Sequence, residues 1–144
     1  MKQLKNYLFL AFAIGFVACG TQKSVNGEDF EQFYTKFHED SLFQIERTEF
    51  PLKGETSYLE PTGKQIKFWY ADAWRMQKTF DPTDTLGYEQ NMISVDTLIV
   101  DVIYDGNAQG ITRYFSLRDG KWYLTFYSDY NAVNPAFVEE MKKK

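Results

Sequence analysis

Apolar and polar positions alternate along this chain with periods that change from segment to segment, and the changes mark its elements. Residues 7–17 form an unbroken apolar run, preceded by Lys2 and Lys5 and followed by small Ala18, Cys19 and Gly20. Such a run is too short to span a bilayer and has the order of a secretory signal. After the polar stretch 20–28, Phe30, Phe33, Tyr34 and Phe37 follow the i, i+3, i+4, i+7 spacing of an amphipathic helix, with Asp29 placed to cap it. Residues 43–50 read as extended, Phe43, Ile45 and Arg47 on one face and Gln44, Glu46 and Thr48 on the other, ending at Pro51.

Residues 53–63 contain Gly54, Pro61 and Gly63 and read mainly as loop; 64–70 suit a strand, and 71–79, with Ala73, Trp74 and Met76, a short helix. A turn at residues 81–84 leads into a strand region that ends at Tyr104 and is clearest over 95–104. Two further strands, 109–117 and 121–128, flank Asp119-Gly120, a strong hairpin signal. A two-residue turn there pairs Leu117 with Trp122, Phe115 with Leu124 and Arg113 with Phe126. It collects Phe115, Leu117, Trp122, Leu124 and Phe126 on one face, and Thr112, Tyr114, Ser116, Tyr123, Thr125 and Tyr127 on the other. A last helix is expected over 136–141, with Lys142 to Lys144 at its carbonyl end. The fold class is therefore α+β, an N-terminal helix on a curved antiparallel sheet.

Cys19, the sole cysteine, changes the picture most. The stretch Phe16-Val17-Ala18-Cys19 resembles a bacterial lipobox, with Phe16 where Leu is commoner. That resemblance implies cleavage before Cys19, a diacylglyceryl thioether on its sulfur and an acylated amine. The expected organisation is a signal peptide over 1–18, lipidated Cys19 and a tether over 19–28, and one domain over 29–144. A tether of nine residues reaches at most ~30 Å, so the domain works close to its membrane. Gly20-Thr21-Gln22-Lys23 carries no acidic run after the cysteine, which points to the periplasmic side.

Lipidation consumes the only thiol, which excludes disulfides, thiolate metal sites and cysteine nucleophiles. Loss of Lys2 and Lys5 leaves 14 basic against 20 acidic residues, so nucleic acid is a poor partner. No phosphate loop, paired-histidine zinc motif, calcium loop or nucleophile elbow is present, and no cofactor is expected.

The run 30–52, with Phe33-Tyr34, Phe37, Asp40-Ser41, Phe43-Gln44, Arg47 and Phe50-Pro51-Leu52, resembles an uncharacterised domain family of lipoproteins from Bacteroidales-type bacteria. That family looks like the cystatin-type, nuclear-transport-factor-like cone folds. The resemblance covers about residues 30–129 and implies a fold and a membrane location but no activity.

Cone folds often enclose a pocket between helix and sheet, and some relatives use an Asp and a His there. His38, the sole histidine, falls at the edge of the helical apolar stripe, where a partly exposed imidazole is expected and spacing places no partner beside it. Arg47 and Arg113 lie in line with apolar strand residues. Each is expected to pair with an acid such as Asp101, to reach solvent from a strand end, or to clamp an anionic ligand, with Trp69, Tyr70, Trp74 and Trp122 as wall residues. Three functions remain: binding of a small apolar or anionic ligand, an acid-base enzyme using a pocket carboxylate or His38, and an envelope-protein interaction module. The last requires an exposed aromatic patch on the Tyr114, Tyr123 and Tyr127 face.

Overall fold

The computed structural model describes residues 27–56, 65–84, 87–107, 109–133 and 135–143; the signal segment, Cys19 and most of the tether lie outside them, as do residues 57–64 of the expected loop. Helix α1 (Phe30–Glu39) forms where the apolar spacing places it, its Asp29 cap accepting from the Gln32 amide at 2.9 Å. Asp40 ends α1 by donating its own amide to the Lys36 carbonyl. It also opens α2 (Ser41–Glu46), its side chain accepting from the Leu42 and Phe43 amides at 3.0 Å each.

That second helix replaces the strand expected over 43–50. The period-two pattern misled because much of what this segment buries is polar: Gln44 of α2 and Arg47 and Thr48 just after it are buried and Phe43 is half-buried, while Leu42 and Ile45 face solvent.

Strands β1 (Leu52–Thr56), β2 (Gln65–Trp69), β3 (Tyr88–Val95), β4 (Leu98–Asp105), β5 (Gln109–Arg118) and β6 (Lys121–Ala132) form one curved sheet in the order β2-β1-β6-β5-β4-β3. Neighbours pair antiparallel except β1 and β6, which run parallel at Gly54↔Tyr127 and Glu55↔Ser128. β1 occupies the start of the expected loop, and residues 71–79 contain only the 3-10 turn Ala71–Ala73 instead of a helix. The C-terminal helix α3 (Pro135–Met141) packs on β3 on the face opposite α1, with Val138 against Ile93, Val100 and Val102.

At the β5–β6 hairpin, Asp119 and Gly120 take φ of 50° and 75°, both left-handed, as a tight primed turn requires. Leu117↔Trp122 and Phe115↔Leu124 pair as the turn dictates. One residue later the register slips, so that Tyr114 meets Phe126 and Arg113 meets Tyr127 instead of Phe126. Thr125 is the extra residue, and this bulge exchanges two aromatic side chains between faces. Phe126 stacks on Tyr114 at 4.7 Å on the outer face, while Tyr127 turns inward and is buried. The expected exposed patch of Tyr114, Tyr123 and Tyr127 therefore does not form: Tyr127 is on the other side of the sheet, and the remaining two are half-buried.

Phe33, Tyr34 and Phe37 of α1 pack on Phe115 and Leu124, together with Leu52 and Trp122, and bury the concave face of the sheet. Gly54 lets β1 lie flat beneath Trp69; a Cβ there would sit far inside contact distance of both Trp69 Cζ3 and the Tyr127 carbonyl. Gly54→Ala is expected to lower unfolding free energy by about 2–3 kcal/mol, read from urea denaturation, because the Tyr127 backbone on one side and the half-buried Trp69 ring on the other resist the displacement. An unchanged midpoint would show that β1 is free to move away from β6.

Candidate functional site

Two polar clusters are buried between the helices and the sheet, one around each arginine singled out by the sequence. The deeper one begins with a register: Asp101 of β4 and Arg113 of β5 are cross-strand partners pointing inward. Arg113 Nη2 lies 2.6 Å from Asp101 Oδ2, and both side chains are almost wholly removed from solvent. The expected acid thus pairs with this arginine.

The second carboxylate oxygen accepts from Gln90 Nε2 of β3 at 2.8 Å, and Tyr34 of α1 donates its hydroxyl to Oδ2 at 3.1 Å. Tyr34 in turn accepts from Gln90 Nε2 at 2.9 Å and from Arg113 Nη2 at 3.2 Å. Burial pushes its phenol well above the ordinary range, so it stays a donor.

His38 completes the cluster and is buried, contrary to the exposure expected of it. Its Nε2 is 2.9 Å from Arg113 Nη1, and its Nδ1 is 2.7 Å from the Tyr34 carbonyl. A guanidinium only donates and a carbonyl only accepts. The imidazole is therefore the neutral tautomer with its proton on Nδ1. Protonating Nε2 would set two N–H groups against each other. Burial first, then the Arg113 charge, pushes the His38 pKa down to about 4.

Arg47 also pairs with an acid, here Glu28. Its Nη1 and Nη2 reach Glu28 Oε2 and Oε1 at 2.8 and 3.2 Å, a two-point pairing, and Nη1 also donates to the Trp122 carbonyl at 3.2 Å. Glu28 in addition accepts from the Trp122 amide at 3.0 Å, and its carbonyl accepts from the Trp122 indole at 2.9 Å. Burial raises the Glu28 carboxyl while Arg47 and the Trp122 amide lower it, and the balance leaves it below the ordinary range.

The five expected ligand residues are thus divided. Arg47 and Trp122 belong to the cluster at the hairpin tip. Trp69 and Trp74 instead flank Tyr127 edge-on, with centroids 5.1 and 5.4 Å away, and Tyr127 is the cross-strand partner of Arg113. Both indoles are half-buried, and exposed Lys67 places its ammonium 4.8 Å above Trp69. Tyr70 is exposed and outside this group.

Trp74 sits on irregular chain held by Gln44. This fully buried carboxamide donates to the Phe37 and Gln77 carbonyls at 2.7 and 2.9 Å and accepts from Trp74 Nε1 and the Gln77 amide at 3.0 and 2.7 Å. All four of its hydrogen-bonding positions are used. Sequence reasoning missed Gln44, Tyr34 and Gln90 and put Tyr127 on the wrong face of the sheet; for Tyr34 a signal existed, since a tyrosine on a buried helical stripe carries a hydroxyl that needs a partner.

Among the described residues no group of three His, Cys, Asp or Glu side chains is placed to hold a metal ion, and no helix is long and apolar enough to cross a membrane.

A family model matches residues 28–144, and its family consists of uncharacterised Bacteroidales proteins. The chain belongs to that family. No curated protein matches it. Among solved structures, an NTF2-like protein of Bacteroides fragilis NCTC 9343 is 18% identical, with a TM-score of 0.54 over 74% of this chain and 49% of its own. This chain therefore spans about half the length of that relative. An NTF-2-like protein of unknown function from Silicibacter pomeroyi DSS-3 is 14% identical over 68% of this chain and 86% of its own; its TM-score of 0.39 is too low to bear on the fold. The family member described here thus has an α+β fold with NTF2-like structural neighbours.

Removing one member of the deep pair should cost far more than removing both. Arg113→Met leaves a buried unpaired carboxylate and is expected to lose about 3–5 kcal/mol, while Arg113→Met with Asp101→Leu recovers much of it. Equal losses in denaturant melts would contradict the pairing.

His38 adds a pH dependence. Above pH ~6.5 the imidazole is neutral folded and unfolded; between ~6.5 and ~4 only the unfolded chain takes up the proton, so stability falls, by about 3 kcal/mol in total. His38→Gln should flatten that part of the profile, and an unaltered slope would show that His38 titrates normally in the fold.

Proposed function

We propose that this protein is a non-catalytic binding module, held on a bacterial membrane through lipid on Cys19 and facing the periplasm, that takes a small and mainly apolar ligand against the Trp69–Tyr127–Trp74 wall. The observation that carries the binding reading is that wall: two half-buried indoles set edge-on to one buried tyrosine on the concave side of an NTF2-like sheet. Aromatic faces offer large apolar area to a flat or aliphatic body.

The neighbouring chemistry favours binding over turnover. Both nitrogens of His38 are engaged by Arg113 and a backbone carbonyl, which leaves no lone pair to take a substrate proton. Arg47 and Arg113 are each neutralised by an internal carboxylate, which weighs against an anionic ligand and for an apolar one. The membrane part of the reading rests on the charged, apolar, Ala18-Cys19 order of the N-terminus. With two or three acyl chains on Cys19 the attachment would be stable, since each buried CH2 contributes roughly 0.8 kcal/mol.

Titration with the neutral fluorescent probe N-phenyl-1-naphthylamine examines the wall. One saturable site per chain is expected, weakened about tenfold or more by Trp69→Ser or Trp74→Ser with the circular dichroism spectrum retained. Absence of saturation, or affinity indifferent to both substitutions, would refute the wall as the site. For the anchor, Cys19→Ala should abolish fatty-acid labelling and release the protein from membranes; retained label would refute lipidation at Cys19.

A further inference from the structure

Strand β2 is an edge of the sheet, and its side chains divide sharply between the two faces. Trp69 turns to the concave side with Lys67 over its ring, while Ile66, Phe68 and Tyr70 point the other way and are 67%, 49% and 59% exposed. Tyr70 continues the strand direction with φ −110° and ψ 152° before the chain turns at Ala71. Three large apolar side chains thus stand in a row along a strand whose outer side has no neighbouring strand among the described residues.

The row is a single strand wide. On β1 the residues opposite Phe68 and Ile66 are Lys53 and Glu55, so the apolar surface stops at the next strand. A broad flat partner would have to desolvate both charges to cover it. A strand arriving along the free edge would not, and it would also satisfy the outward backbone groups of β2.

We propose that the occupant is β2 of a second copy of this chain, paired antiparallel about a two-fold axis through Phe68. In that register Phe68 opposes Phe68 and Ile66 opposes Tyr70 on the outer face, and Lys67 of each copy opposes Trp69 of the other on the concave face. Every exposed apolar side chain of the row meets another, and each ammonium meets an indole, the ring on which Lys67 already rests within its own chain.

Neighbouring registers are poorer. Sliding by two residues one way centres the pair on Lys67 and brings two ammonium groups face to face; sliding the other way sets Ile66 against Asp72. One patch that serves as its own complement is the requirement for a closed two-fold interface. The pairing stands independently of the ligand reading.

Engineered cysteines in the full-length chain test both the dimer and its register. Phe68→Cys should form a covalent dimer under mild oxidant, above the level seen with the unsubstituted chain, whereas Ile66→Cys alone should not. In sedimentation equilibrium of the full chain in detergent, the protein mass should be twice that of one chain and should halve in Phe68→Lys, with an unchanged circular dichroism spectrum. Phe68→Cys at background, Ile66→Cys cross-linking equally well, or a mass indifferent to Phe68→Lys would each overturn the proposal.

Discussion

The ion pair between Asp101 and Arg113 is the constraint on which the helix-to-sheet junction depends. Two opposite charges with almost no solvent exposure are tolerable only when their remaining lone pairs and protons are largely met, and the elements around them meet all but the Arg113 Nε proton. β3 supplies Gln90, α1 supplies the Tyr34 hydroxyl, and one turn later α1 supplies a neutral imidazole to Nη1. The pair thereby fixes how α1 rotates on the sheet. Apolar packing of Phe33 and Phe37 supplies the drive for docking, and the polar contacts choose the orientation.

The second arginine performs the corresponding task at the other end of the domain. By gripping Glu28, Arg47 ties the first described residues to α2 and, through Trp122, to the tip of the β5–β6 hairpin. Both guanidiniums are thus spent on the fold, and Gln44 is likewise spent on holding Trp74 in place. The indoles beside Tyr127 keep part of their surface open on the concave side, as do Phe43 and Phe50, which is why the binding reading turns on aromatic area.

Much of this was legible in the chain. The stripe from Phe30 to Phe37 and the Asp119-Gly120 turn each carry local signals strong enough to hold in the folded context, and Arg113 declared itself as a cation among inward apolar residues. What escaped did so for different reasons. α2 and the two residues after it bury the Gln44 amide, the Arg47 guanidinium and the Thr48 hydroxyl while exposing Leu42 and Ile45, so hydropathy periodicity does not report a helix there. The bulge at Thr125 has no local marker, yet it moves Tyr127 from the solvent face to the wall of the candidate site. His38 looked unpartnered because its partner lies 75 residues away, brought there only by sheet register.

The most direct test is the ring-nitrogen NMR spectrum of the sole histidine, followed against pH with selectively 15N-labelled protein. A neutral imidazole protonated on Nδ1, with Nε2 retaining the shift of an unprotonated acceptor from pH 8 down to about 5, is what the Arg113 contact requires. A titration centred near the ordinary histidine value, or a proton found on Nε2, would contradict an interior organised around the Asp101–Arg113 pair.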